Sequence, residues 1–127
     1  MRDLLREAQT AFNAGDAAKA QASFERVLSQ FDRDSADAIY GLALIASKKG
    51  DSDAARQHFD RLIRMDAAEP AIKVWSYIYL ARILDLECDR ARAMEYYQQA
   101  VKVGDNTRNA QAAAREGVQK PYGDNCR

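Results

Sequence analysis

Apolar residues recur every three to four positions along most of this 127-residue chain, the spacing of helices that bury one face. Short polar breaks that contain Gly, Asp, Asn or Pro separate the apolar stretches. The clearest example surrounds the break at Gly50-Asp51, with apolar positions at Leu42, Ala43, Ile45 and Ala46 before it and at Ala55, Phe59, Leu62 and Ile63 after it. The pattern predicts an all-α chain of paired helices.

The paired helices follow an internal repeat. Its anchors are three dipeptides, Gly15-Asp16, Gly50-Asp51 and Cys88-Asp89. An alanine stands seven residues before each anchor, another alanine five residues after it, and an aromatic ring nine residues after it. The members of these three columns are Ala8, Ala43 and Ala81; Ala20, Ala55 and Ala93; and Phe24, Phe59 and Tyr97. Rings and turn dipeptides in a constant register indicate three copies of one helical hairpin.

The turn residues suit helix ends. Glycine accepts the left-handed conformation that commonly ends a helix, and the following Asp can cap the next helix. Cys88 replaces this glycine in the third copy, so we expect that turn to be shaped differently or strained. Extra residues around 66–74 lengthen the second junction, where Pro70 is predicted to begin the fifth helix early. Asp34 or Ser35 is predicted to cap the third helix.

This pattern resembles the tetratricopeptide repeat, a 34-residue helix-turn-helix unit. The resemblance rests on Leu42-Ala43, Gly50-Asp51, Ala55, Phe59 and Leu62, and on Leu80-Ala81, Leu84, Asp89, Ala93, Tyr97 and Ala100. It implies a right-handed superhelical array of three hairpins plus a C-terminal capping helix, about seven helices in one domain over residues 1–120. The repeats would span about 1–34, 36–69 and 72–105, and the capping helix 107–120, before a loose tail at 121–127.

In such arrays the first helix of each hairpin lines a concave groove. By this resemblance the groove-facing residues would be Leu5, Gln9, Phe12, Asn13, Asp37, Tyr40, Leu44, Ser47, Lys48, Trp75, Ile78, Arg82 and Asp85. Aromatic and aliphatic anchors beside Lys48 or Arg82 suit a peptide that carries a carboxylate. The alternative for Tyr40 and Trp75 is simple packing between hairpins.

Charge and composition reduce the number of possible partners. Lys and Arg together number 19, as do Asp and Glu, so the formal charge is zero and nucleic acid or an anionic membrane surface is not an expected partner. No apolar run approaches the roughly 20 residues that span a bilayer, and the first residues do not resemble a secretory signal. We therefore expect no membrane insertion and a soluble chain, with the cytoplasm favoured.

Candidate chemistry is sparse. His58 precedes the core ring Phe59 and is expected to be an exposed surface residue, while Cys88 and Cys126 are expected to be plain thiols, because a bridge would require the tail to fold back onto one turn. Residues 32–37 alternate carboxylates but lack the glycine and the distal glutamate of a calcium loop. We predict no catalytic site, no metal and no cofactor.

The favoured hypothesis is a protein-interaction module that binds a peptide segment of a partner in its groove. Two alternatives stay open: a structural or self-associating unit, in which Trp75, Tyr79 and the closing helix form a homodimer contact, and an accessory domain of a larger protein.

Overall fold

The computed structural model describes residues 1–124 and 126, and over these residues the chain is helical and contains no strand. Its helices are α1 (Arg2–Asn13), α2 (Ala17–Gln30), α3 (Ala36–Lys49), α4 (Ser52–Arg64), α5 (Pro70–Leu86), α6 (Arg90–Val103) and α7 (Ala110–Gln119). Residues 1–58 and 59–127 form two compact units, with the boundary inside α4. The all-α fold class is confirmed.

Each of the three predicted turns closes with the same backbone hydrogen bonds. The amides of Asp16, Asp51 and Asp89 donate to the carbonyls five residues earlier, each at 2.9 Å. Each of these carboxylates also accepts a hydrogen bond from the backbone amide three residues later. The residue before each Asp is left-handed, with φ of +83°, +79° and +66° at Gly15, Gly50 and Cys88. Cys88 therefore preserves the turn, at a backbone cost of about 1 kcal/mol relative to glycine.

The predicted helix starts are also found. The Ser35 hydroxyl accepts a hydrogen bond from the Ala38 amide at 3.3 Å and caps α3. Pro70 is the first residue of α5, where its missing N–H leaves no helical hydrogen bond unmade.

The two alanine columns are the most buried positions of the repeat. All six of these alanines are fully buried, and the three rings are 0–3% exposed. Around them the first unit packs Leu4, Ala8, Ala11, Ala20, Phe24, Val27, Ala38, Leu42 and Ile45. The second unit packs Val74, Ile78, Ala81, Leu84, Ala93, Tyr97, Ala100, Ala110 and Ala114. Small side chains on both helices of a hairpin let the two helices approach closely, and the aromatic rings fill the remaining space.

Each ring of the repeat also rests on the helix that begins the next hairpin. Phe24 of α2 lies against Gly41 of α3, so closely that a β-carbon there would come within 2.7 Å of the ring. Phe59 stacks on Tyr79 of α5 with centroids 5.0 Å apart. Tyr97 of α6 lies against Gly117 of α7. Tyr97 therefore packs on the closing helix α7 in the same way that the other two rings pack on the first helix of the next hairpin.

The closing helix begins later than the sequence predicts. A 3-10 turn occupies Thr107–Asn109, with Arg108 and Asn109 left-handed, and α7 begins only at Ala110. Buried Gln111 fixes this start, because its side-chain amide donates to the carbonyls of Ala100 and Asp105. The expected single helix from Thr107 to Lys120 is thus shorter at its N-terminal end.

Candidate protein-interaction surface

The first unit brings its predicted groove residues onto two adjacent helices. On α1 the side chains of Leu5 and Phe12 are half-buried against the core, while Gln9 and Asn13 are exposed. The Gln9 amide donates to the Asn13 side-chain carbonyl at 3.1 Å. Spacing of three to four residues places these side chains along one face of the helix.

The facing residues of α3 follow the same spacing. Tyr40 and Leu44 are half-buried and Lys48 is exposed, each four residues from the next. The Lys48 ammonium lies 4.8 Å from the centroid of the Phe12 ring, which joins the two helices by a cation–π contact. At an exposed site such a contact is worth about 0.5–1 kcal/mol, too little to prevent Lys48 from turning to a carboxylate of a ligand.

This α1/α3 face, formed by Leu5, Gln9, Phe12, Asn13, Tyr40, Leu44 and Lys48, is an apolar strip with amides at one side and one cation at its end. An apolar surface with few polar groups suits the apolar anchor residues of a bound peptide. Lys49, the next residue, donates instead to the side-chain carbonyl of Gln21 on α2 at 2.7 Å.

The groove residues predicted in the third copy do not form an open surface. Ile78 is fully buried in the core of the second unit, so its assignment to a groove is wrong. Trp75 is half-buried, and its indole N–H donates to the Thr107 carbonyl at 2.7 Å. The ring of Trp75 lies 5.6 Å from both the Tyr79 ring and the Arg82 guanidinium. Trp75 thus contacts two side chains of its own helix and the turn that precedes α7.

Asp85 was also expected in the groove and is instead buried, at 2% exposure. Arg90 donates to both of its carboxylate oxygens at 3.1–3.2 Å, and the Tyr97 hydroxyl donates at 2.9 Å. Arg90 then reaches the carbonyls of Gly117 and Val118 at the end of α7. A buried carboxylate needs such partners, and here they connect α5, α6 and α7.

At its described residues, 121–124 and 126, the C-terminal segment is held against the second unit, which corrects the prediction of a loose tail there; the rest of the predicted tail, residues 125 and 127, lies outside the described residues. The Tyr122 amide donates to Asp85 at 2.9 Å, and the Tyr122 ring lies 4.7 Å from the Arg82 guanidinium. Cys126 is bonded to Cys88 in a disulfide whose α-carbons are 5.4 Å apart, so the expectation of two plain thiols is wrong as well. One sequence feature could have indicated this disulfide: Cys88 occupies a turn position where the other two copies have glycine, and a cysteine there can form a bridge that glycine cannot.

Burial and the hydrogen bond to Asp85 raise the pKa of Tyr97 above its ordinary value of 10.0. The phenol stays neutral in the folded state but ionises in the unfolded chain. The contribution of Tyr97 to stability is therefore fully present below pH 10 and decreases as the pH rises above it. We expect the free energy of unfolding to drop by about 1.4 kcal/mol per pH unit between about pH 10 and pH 12. Urea titrations of wild type and Tyr97→Phe across this range measure the effect, and parallel slopes would contradict it.

His58 differs from expectation. It is half-buried rather than exposed and lines a cavity of about 280 Å³ with Glu25, Leu42 and Ala54 of the first unit. Among the residues that the structure describes, no group of three His, Cys, Asp or Glu side chains is arranged to hold a metal ion. In the same part of the chain, no helix is long and apolar enough to cross a membrane.

Comparison with known proteins places these observations in a family. The sequence profile described as "Tetratricopeptide repeat" matches residues 5–70, which is 66 of 127 residues, and leaves the third copy with its cysteine outside the match. The chain is also similar to the probable biofilm formation methyltransferase WspC of Pseudomonas putida, at 28% identity over 92 residues and 72% of this chain. It spans only 20% of that protein's length. The chain belongs to the tetratricopeptide repeat family.

Proposed function

We propose that this chain is a protein-interaction module that binds a peptide segment of a partner on the α1/α3 face of its first unit. The carrying observation is the exposed Lys48 ammonium over the half-buried Phe12 ring, at the end of an apolar strip. The ligand that fits is a segment with an apolar side chain close to a carboxylate: the apolar group covers Phe12 and Leu44, and the carboxylate pairs with Lys48.

The charge of the face supports an acidic ligand. Lys48 is the one charged side chain among the seven residues of the face. Asp37, the other charge predicted to line the groove in this unit, lies in the first turn of α3, at the opposite end of the helix from Lys48. The tetratricopeptide fold is typically non-catalytic and serves as a scaffold for protein partners, which agrees with a binding role. Binding that depends on one exposed cation is sensitive to ionic strength.

A displayed library of random 12-residue peptides, selected on the wild-type chain, tests this proposal. We expect selected peptides to share an apolar residue near Asp or Glu, because Phe12 and Lys48 would each contribute contacts. Lys48→Glu and Phe12→Ala should each weaken binding of a selected peptide at least tenfold by fluorescence anisotropy, while Lys19→Glu on α2 should not.

Peptides without acidic residues, or equal binding by the Lys48→Glu chain, would contradict the proposed site. Light scattering of the same samples serves as the control for self-association, against the mass of one chain, 14.2 kDa. A homodimer through Trp75 has less support than peptide binding, because that ring is already engaged by Tyr79, Arg82 and Thr107.

A second candidate role is that of an accessory domain in a larger protein. The similarity to one fifth of the length of a protein named a methyltransferase favours it. This role is compatible with the first, since a module that binds a peptide can do so within a longer chain.

A further inference from the structure

The C-terminal segment, described at residues 121–124 and 126, lies on α5 in the manner of a bound peptide. Its described contacts with that helix fall within one turn: the Tyr122 amide on Asp85, the Tyr122 ring on Arg82, Gly123 against the side chain of Leu86, and the Cys126 Sγ 3.2 Å from the Asp85 carbonyl oxygen. Residues 121–124 also form one wall of a cavity of about 250 Å³, whose other walls belong to α5, α6 and α7.

The non-covalent contacts of the segment are few. Among the described residues, one hydrogen bond to a carboxylate, one exposed cation–π contact and the packing of Gly123 on Leu86 oppose the conformational entropy lost by ordering this stretch of backbone. Tyr122 itself is about half exposed, at 47%, so its ring buries little area. The disulfide to Cys88 is therefore the main restraint that keeps the segment on α5.

The site beneath the segment is complete without it. When the segment leaves, Asp85 loses the Tyr122 amide but keeps Arg90 and the Tyr97 hydroxyl, and water can replace the lost donor. Arg82 keeps its contact with Trp75. Release therefore leaves no buried charge without a partner.

We propose that the Cys88–Cys126 disulfide is a thiol-sensitive latch, which holds the C-terminal segment on α5 as an internal ligand and, when reduced, uncovers a second peptide site at Arg82, Asp85 and Leu86. The ligand of the uncovered site has the chemistry of the segment it replaces: an extended peptide with an aromatic side chain for Arg82 and that residue's free backbone N–H for Asp85. This site is independent of the α1/α3 face.

The opening step is thiol–disulfide exchange. A dithiol reductant attacks one sulfur as a thiolate, forms a mixed disulfide, and is released as its own cyclic disulfide. Two electrons and two protons pass to the chain, so that Cys88 and Cys126 become thiols. Cys88 is exposed at its turn and Cys126 is partly exposed, which gives a dithiol access to the bond.

Amide hydrogen exchange measured by mass spectrometry tests the latch on the full chain. With the disulfide intact, the amide of Tyr122 should be protected; in dithiothreitol it should exchange at least tenfold faster, while the amides of α6 do not change. Cys126→Ser should behave like the reduced chain in both conditions. Cys88→Gly should also behave like the reduced chain. Because this variant has the glycine found at the other two turns, it should fold normally and so serves as the control for a folding defect. Equal protection of Tyr122 in oxidised and reduced chains would overturn the latch.

A labelled synthetic peptide of residues 119–124 tests the uncovered site by fluorescence anisotropy. We expect at least tenfold tighter binding to the reduced chain and to Cys126→Ser than to the oxidised chain, and loss of that binding when the tyrosine of the peptide is replaced by alanine. Arg82→Ala in the Cys126→Ser background should weaken binding, whereas Lys102→Ala should not. Failure to bind the reduced chain, or equal binding to both redox states, would overturn the second site.

Discussion

Replacing Asp85 with alanine should lower the free energy of unfolding by about 3 kcal/mol, because removing one member of a buried ion pair leaves its partners without a counter-charge or an acceptor. The Tyr97 hydroxyl and the Tyr122 amide would lose their acceptor, and Arg90 would keep only the carbonyls at the end of α7. Arg90 is about a third exposed, so water moderates the loss. Urea unfolding of the oxidised chain, followed by circular dichroism, measures it.

Two variants interpret that result. Asp85→Asn keeps the shape and one acceptor but places an amide donor among donors, so it should cost somewhat less than the alanine variant. Asp66→Ala removes the same charge from an exposed loop and should change stability by less than about 0.5 kcal/mol. An Asp85→Ala chain as stable as Asp66→Ala would mean that the carboxylate does not organise the second unit.

Gly117→Ala should destabilise the chain by about 2 kcal/mol, although alanine is the better helix former by about 1 kcal/mol. The added methyl group would come within 2.5 Å of Cζ of Tyr97. The ring has little room to move away, since it is 1% exposed and its hydroxyl is hydrogen-bonded to Asp85. α7 must therefore shift away from α6, and thermal or urea unfolding will report the loss.

The matched control lies two residues further along the same helix. Gln119→Ala is exposed and should be neutral within about 0.5 kcal/mol. In a Tyr97→Leu background, where the smaller side chain makes room, Gly117→Ala should cost clearly less than in the wild type, which gives a measurable coupling energy. Additive effects of the two substitutions would refute the proposed steric cause.

The features that the sequence predicts well are those with short-range causes. Each hairpin is closed by a residue that can adopt the left-handed conformation, followed by an Asp that caps the next helix. The hydrogen bonds that stabilise such a turn join residues at most five positions apart. The alanine and ring columns follow from the same register, because their spacing decides which side of each helix is buried. Family membership confirms that interpretation.

The candidate site was predicted unevenly. The α1 and α3 stripes of the first unit needed only helical spacing to share their faces, whereas the contact of Lys48 with the Phe12 ring appears only in the structure. In the third copy the same spacing was misleading: Ile78 is buried in the core of the second unit, and Asp85 is enclosed by Arg90, the Tyr97 hydroxyl and the Tyr122 amide. Helical periodicity says which residues share a face but not which later segment will cover that face.

Local sequence thus determined the repeat: the helices, their turns and caps, and the small and aromatic residues of the core. Tertiary structure alone decided the late start of α7, the ion pair of Asp85 with Arg90, and the bridge from Cys88 to Cys126. The physical reason is separation along the chain. Turns and helices depend on neighbours a few residues apart, whereas the bridge joins residues 38 positions apart, and such a contact forms only after the intervening helices have packed.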